Sequence, residues 1–209
     1  KTLFNVLDDN RDGTVNTNDE TSTNIRFGLG KFQGSSYVKL RDIATKYSQI
    51  YCGSTTSCTV DQAAEGTSNI RNWMSYSNVV GATPLVSALS GVKVYLDSHK
   101  TTDPYQSCRQ KFVILVSDGA DTMSCSGAGY DTQADQYKRR RDSVLAAKAL
   151  AEAGYKVFVI GMGSTMPAHL KNTLNWMAYG GGTDNPLTPN AGSLSVVDPA
   201  LVSTCFGSS

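Results

Sequence analysis

Lys111-Phe112-Val113-Ile114-Leu115-Val116-Ser117, closing on Asp118-Gly119, is the stretch that decides the fold. A short, unbroken run of β-branched and aliphatic residues ending in a turn pair reads as a strand covered on both faces, because a half-exposed strand would alternate. Tyr155-Lys156-Val157-Phe158-Val159-Ile160-Gly161 repeats the pattern. Between them, Ala134 to Ala153 is rich in Ala, Leu, Lys and Arg, all good helix formers, and stops at Gly154, a residue suited to the position after a helix. Strand, helix and strand of these lengths make a βαβ unit with parallel strands and a right-handed crossover.

Working outward, Thr83-Pro84-Leu85 opens a helix running to about Ser98, with Thr83 as its N-cap and Pro84 at its first position. Pro167 starts another, through Ala178, which stops at Gly180-Gly181-Gly182. Residues 24–32 alternate apolar and polar side chains, as an outer strand does. Ser193 to Val197 reads as a last strand, followed by a closing helix capped at Asp198-Pro199 and containing Leu201 and Val202. Lys1 to Leu7 reads as the end of a helix, and the Ser/Thr/Gly-rich residues 34–78 as an elaborated loop region. The expected architecture is α/β: one domain over 1–209, a doubly wound, mostly parallel sheet of about five or six strands flanked by helices.

Composition narrows the function classes. Nineteen basic and 18 acidic residues leave a net charge of +1, so there is no global field to draw nucleic acid or a membrane surface. The one basic cluster, Lys138-Arg139-Arg140-Arg141, reads as a solvated helix face. No apolar run approaches the ~18 residues that span a bilayer, so membrane insertion is not expected. Five cysteines stand at 52, 58, 108, 125 and 205. Cys52 and Cys58 bracket a polar loop that a disulfide could close, and Cys108 and Cys125 flank the first strand and could meet above its end. With no Cys-x-x-Cys pair and no His beside a cysteine, zinc is disfavoured, and an oxidising, extracellular or cell-surface setting is expected.

The most specific local signal is Asp8-Asp9-Asn10-Arg11-Asp12-Gly13-Thr14-Val15-Asn16-Thr17-Asn18-Asp19. It matches the EF-hand type of calcium loop at positions one, three, five, six and twelve. Asp8, Asn10 and Asp12 alternate so that their oxygens can converge, Gly13 permits the sharp turn, Thr14 offers its carbonyl, and Asn16 binds directly or through water. Asp19 replaces the usual Glu at position twelve, and its shorter arm favours a single-oxygen contact unless Glu20 contributes. Such an ion, held in the insertion 8–20, would be structural, stapling the first helix to the strand at Ile25. Against it stands a metal-free reading, an acidic turn of Asx caps.

Catalytic readings fare poorly. Gly161-Met162-Gly163 follows a strand, but Met166 fills the third glycine position of a dinucleotide fingerprint, and there is no phosphate loop. The two histidines, His99 and His169, both read as solvated, and no Gly-x-Ser-x-Gly elbow exists. The chain is therefore not read as an enzyme. Trp73, Trp176 and the tyrosines at 37, 47, 51 and 76 could line a binding surface, though aromatics are more often core.

Gly81-Ala82-Thr83-Pro84-Leu85 and Val116-Ser117-Asp118-Gly119, at the ends where open α/β sheets bind ligands, together resemble the von Willebrand factor type A family. The resemblance implies that Thr83 and Asp118 are members or remnants of a metal-ion-dependent adhesion site for Mg²⁺ or Ca²⁺. The family's Asp-x-Ser-x-Ser motif is missing, and with it the first central strand, so the site is incomplete. Residues upstream of Lys1 are expected to supply that strand, with a second polypeptide as the alternative source. Cys108-Arg-Gln-Lys-Phe-Val-Ile-Leu-Val-Ser-Asp-Gly119, Leu174-Asn-Trp-Met-Ala-Tyr-Gly-Gly-Gly182 and Ser195-Val-Val-Asp-Pro-Ala-Leu201 resemble one subgroup, the N-terminal module of PilY/PilC-type adhesins. That implies a calcium-stabilised, non-catalytic adhesion and pilus-assembly module at a bacterial pilus tip or outer membrane. Its partner would be a pilus subunit, a host surface protein or a matrix protein. The alternative is a metal-free structural domain of a bacterial surface protein.

Overall fold

The computed structural model describes residues 7–23, 25–34, 36–43, 57–59, 83–119, 121–122, 133–163 and 166–183. The chain divides into two compact units, Lys1–Gln33 with Val38–Val80, and Gly34–Tyr37 with Gly81–Ser209. The expected structures at Lys1 to Val6, Ser193 to Val197 and after Asp198 lie outside the described residues, as do Trp73, Tyr47, Tyr51 and Tyr76.

In the first unit, β1 (Thr14–Val15) leads through Asn16 into α1 (Thr17–Thr23). The expected outer strand is shorter than its sequence pattern: β2 covers Leu29–Gln33 and residues 25–28 are irregular. Left-handed Gly34 (φ 58°) follows β2, and β3 (Ser36–Arg41), which belongs to this unit from Val38 on, bonds to β2. The region read as elaborated loop thus contains regular structure, because Tyr and Val, at 37 and 38, are β-favouring residue types among its polar residues. A further short strand, β4 (Cys58–Thr59), pairs antiparallel with β1, Thr14 opposite Thr59 and Val15 opposite Cys58.

The second unit is mixed α/β around a small parallel sheet. Strand β5 (Lys111–Ser117) lies parallel to β6 (Tyr155–Gly161) in continuous register from Lys111↔Tyr155 to Ser117↔Gly161. The crossover is α3 (Gln133–Glu152), one residue from each expected end, and Gly154 follows it at φ 91° as the left-handed residue the helix stop requires. Helix α2 (Leu85–Thr102) precedes β5 and α4 (Ala168–Gly180) follows β6. Helix α3 packs on both α2 and α4, and α3 and α4 pack on β6. The core they share holds Leu85, Leu89 and Leu96, Ala147 and Leu150, Leu174 and Met177, with Leu115 and Val157 from the sheet.

The sheet departs from the expectation of burial on both faces. Lys111, Leu115, Ser117, Tyr155 and Val157 are buried, while Phe112, Ile114 and Val116 are 48%, 61% and 48% exposed and Phe158 and Ile160 are 44% and 50% exposed. Successive strand residues point to opposite faces, and only one face of β5–β6 carries α2, α3 and α4 among the described residues. Phe112 and Phe158 touch on the other, with ring centroids 5.9 Å apart.

The sheet is tied down at its amino end and along the outer edge of β6. At its amino end, the buried Asp103 carboxylate accepts from Arg109 Nη1 at 2.8 Å and Lys111 Nζ at 3.0 Å. Burial pushes the Asp103 carboxyl up. The bonds from Lys111 and from the Tyr105 N–H, with the nearby charges of Lys111 and Arg109, outweigh it and hold the group at about 2. Beside it, Tyr155 Oη donates to Asp97 Oδ1 at 2.8 Å. Burial, with that bond, lifts the phenol to about 12. Along the outer edge of β6, the Val157 N–H donates to the Gly181 carbonyl at 2.9 Å, and Thr183 Oγ1 donates to the Val157 carbonyl.

Two further expectations need correction. Residues Lys138 to Arg141 are not a solvated face: Arg139 is 4% exposed and its three neighbours are half-buried. Arg139, Asp142, Ser143, Ala147 and Leu150 are all buried at helical spacing, so the inward stripe of α3 runs through the basic cluster. Cys108 is an exposed free thiol whose Sγ donates to the Tyr105 carbonyl, so the Cys108–Cys125 pairing is not formed. Cys52, Cys125 and Cys205 lie outside the described residues. His99 is half-buried in α2, whereas His169 is exposed as read. No helix among the described residues is long and apolar enough to cross a membrane.

Candidate functional site

The Asp8–Asp19 loop is built by its own side chains gripping its own main chain. Asp8 accepts from the Asp12 N–H (3.1 Å) on Oδ1 and the Gly13 N–H (2.9 Å) on Oδ2. Asn10 Oδ1 accepts from the Asp12 N–H at 3.0 Å, and Asp12 Oδ1 from the Thr14 N–H at 2.8 Å. Asn10 Nδ2 in turn donates to Asp12 Oδ2 at 2.9 Å. Gly13 takes φ 85° and Arg11 φ 59°, the sharp turn expected of the loop's centre. Val15 is fully buried.

Asp19 joins the two ends of the loop. It stands in the first turn of α1, fully buried, and its carboxylate accepts from the Asp9 N–H at 3.0 Å on Oδ1 and the Asn16 N–H at 2.8 Å on Oδ2. Asn16 Oδ1 accepts from the Asn18 N–H at 2.8 Å, so Asn16 and Asp19 form a capping box for α1. The aspartate at position twelve therefore reaches inward despite its short arm. Across residues 8–20, Asp8, Asp9, Asp12, Asp19 and Glu20 contribute −5 and Arg11 +1, leaving −4. Hard carboxylate and amide oxygens with that excess charge suit Ca²⁺ in kind. In this conformation the oxygens are turned onto amides, and no three His, Cys, Asp or Glu side chains among the described residues converge closely enough to hold an ion. Ligation requires Asp8, Asp12 and Asp19 to draw together, which the charge excess opposes until a cation is present.

The second set lies at the carboxyl end of β5. Ser117 Oγ bonds both the Gly119 N–H and the Gly119 carbonyl, making a tight bend from which Asp118 stands exposed. Thr83 does not cap α2 as expected. The N-cap is Pro84, without a side-chain cap bond, and Thr83 supplies only its carbonyl to the Leu85 N–H. The cap comes from sequence-distant residues. Asp121 Oδ2 accepts from the Val86 N–H at 2.8 Å, and Thr122 exchanges two bonds with Thr83, accepting its N–H on Oγ1 at 2.8 Å and donating its own N–H to the Thr83 carbonyl at 3.0 Å. Thr83 is thus bonded to the loop that Asp118 opens. Arg139 adds a charge near Asp121: burial lowers its pKa, and the Asp121 carboxylate works the other way.

Asp121 and Thr122 were not singled out in the sequence. Asp and Thr are capping residue types, but the Val86 N–H that Asp121 caps lies 35 residues upstream, where no local spacing connects them. The chain matches no protein-family model, no curated protein and no solved structure.

Proposed function

We propose that this chain is a von Willebrand type A-like, non-catalytic adhesion and pilus-assembly module of a bacterial surface, stabilised by Ca²⁺ in the Asp8–Asp19 loop. Its partner is a protein: a pilus subunit, a host surface protein or a matrix protein. A parallel strand pair with helices before, between and after it supports the α/β part of this reading. The doubly wound sheet and the adhesin subgroup rest on the sequence motifs. The observation that carries the calcium part is Asp19, fully buried and bonded to main-chain amides at both ends of a loop that, with Glu20, carries −4. In this reading Asp8, Asn10, Asp12, the Thr14 carbonyl, Asn16 and Asp19 hold the ion, whose chemistry is charge neutralisation and cross-linking of the loop. Thr83 and Asp118 are the part of an adhesion site that this sequence contains, for Mg²⁺ or Ca²⁺.

The Asn16–Asp19 capping box favours a second reading, a metal-free structural domain, because it gives Asp19 a helix-capping role that needs no ion. Immobilised protein presented to purified pilus subunits and to matrix proteins, with calcium and with chelator, separates the two. The adhesin reading expects a partner whose binding falls on chelation and in Asp12→Ala. Binding indifferent to both favours the metal-free domain, and no binding to either class counts against adhesion.

A further inference from the structure

We infer that Asp121 and Thr122 are positioning residues for the Thr83–Asp118 pair, releasing the Thr83 hydroxyl from helix capping and holding it on the joint that carries Asp118. The inference rests on the adhesion-site reading of those two residues.

A threonine just before a helix ordinarily spends its oxygen on the N–H groups of the first turn. Here Asp121 Oδ2 takes the Val86 N–H, the second of α2, which a capping side chain would otherwise accept. Thr122 takes the Thr83 main chain, using both its N–H and its carbonyl. The consequence is specific to Thr83: its main chain is clamped and its hydroxyl is left over. Among the described residues neither Thr83 Oγ1 nor the Asp118 carboxylate makes a hydrogen bond or ion pair. A hydroxyl and a carboxylate kept clear in this way fit a hard divalent cation, which retains water on its remaining positions. Asp118 is fixed to the same segment from the other side, since the Ser117–Gly119 bend sets its direction three residues before Asp121. Asp121 is buried and, with Thr122, tied to the start of α2 two residues after the Ser117–Gly119 bend. Asp121 is itself an anion at the amino end of α2, so that end already has its negative charge and is closed to a second.

The test uses Mn²⁺ as the probe, counted by the loss of its free electron-paramagnetic-resonance signal, in Asp12→Ala protein so that the 8–19 loop is silent. The expected result is one Mn²⁺ bound weakly and lost on adding Asp118→Ala. Adding Thr122→Val, which removes the acceptor for the Thr83 N–H, weakens that site about 10-fold or more, as loss of a group orienting a ligand does. Thr122→Ser restores it, which a packing effect of the methyl group would not produce. Asp121→Asn weakens it as well; should that variant fail to fold by circular dichroism, Thr122→Val and Thr122→Ser decide alone. An Asp118-dependent site indifferent to Thr122→Val overturns the inference and leaves the adhesion-site reading standing. No Mn²⁺ bound, or binding unaffected by Asp118→Ala, overturns both.

Discussion

Replacing Gly181 by alanine tests how closely the chain after α4 approaches β6. The residue has φ −72° and ψ −2°, a conformation any amino acid adopts, so backbone preference contributes nothing. A methyl group there would lie 2.7 Å from Val157 Cβ and 2.9 Å from both the Met177 and Val157 carbonyl oxygens. Comfortable carbon contacts are about 3.5–4.0 Å, so relief needs a shift approaching 1 Å against main-chain atoms. Such overpacking costs about 1–3 kcal/mol. The shift also stretches the Val157 N–H bond to the Gly181 carbonyl, 2.9 Å now, with a further loss of about 1 kcal/mol. Against this, alanine restricts the unfolded chain, a gain of about 0.4–1 kcal/mol. The net expectation is a loss of about 1–3.5 kcal/mol, lowering the melting temperature by roughly 2–14 °C in a domain of this size. Urea unfolding of the variant beside wild type and Gly180→Ala measures it. A methyl group at Gly180 meets Val144 O at 3.4 Å and side-chain carbons at 3.6 Å, so that variant should be near neutral. If Gly181→Ala is as stable as Gly180→Ala, the close approach of this segment to β6 is refuted.

Other expectations follow from the same packing. Asp103 has its folded pKa lowered from 3.8 to about 2, so its contribution is present above the unfolded value and lost as pH falls from about 4 to 2; acid titration of stability should show that slope and Asp103→Asn should abolish it. Tyr155 has the opposite sign: raised from 10.0 to about 12, it contributes stability below pH 10 that disappears as pH climbs through that window, and Tyr155→Phe should flatten the alkaline limb of a stability profile. Leu150→Ala, at a fully buried position of α3, should cost about 2–5 kcal/mol by chemical denaturation, and a loss under 1 kcal/mol would contradict its place in the core. Cys108 should label stoichiometrically with maleimide in native, unreduced protein; resistance to labelling that reductant relieves would mean it is paired.

The βαβ unit was legible because each of its parts is locally determined. The apolar runs at Lys111–Ser117 and Tyr155–Gly161 and the helix formers between them name their elements without reference to anything distant. What the runs did not carry was their environment: Phe112 and Leu115 look alike in a continuous apolar stretch, yet one is about half exposed and the other buried, because coverage depends on which helices reach each face. Arg139 fails for the same reason in reverse. A run of four basic residues suggests water, but a helix turns 100° per residue, and the stripe set by Ala147 and Leu150 carries Arg139 inward. Within the 8–19 loop Gly13 marked the sharp turn, while Asp8, Asn10 and Asp12, read as converging on an ion, bond main-chain amides as the metal-free alternative of Asx caps has it, since those bonds are short-range. Thr83 was placed at the correct helix end with the wrong task. Its local context says N-cap, and only the fold brings Asp121 and Thr122 across to take that task over.

Calorimetric titration of calcium into metal-stripped protein, alongside Asp12→Ala and Asp118→Ala, decides whether the Asp8–Asp19 loop holds an ion. One structural calcium is expected, lost in Asp12→Ala and kept in Asp118→Ala. At a free concentration one hundred times its dissociation constant, that ion should add about 2.7 kcal/mol to stability. Calcium binding that neither Asp12→Ala nor Asp118→Ala removes, or no binding at all, would contradict the calcium-stabilised module and leave the Asp8–Asp19 loop as a metal-free cap on α1.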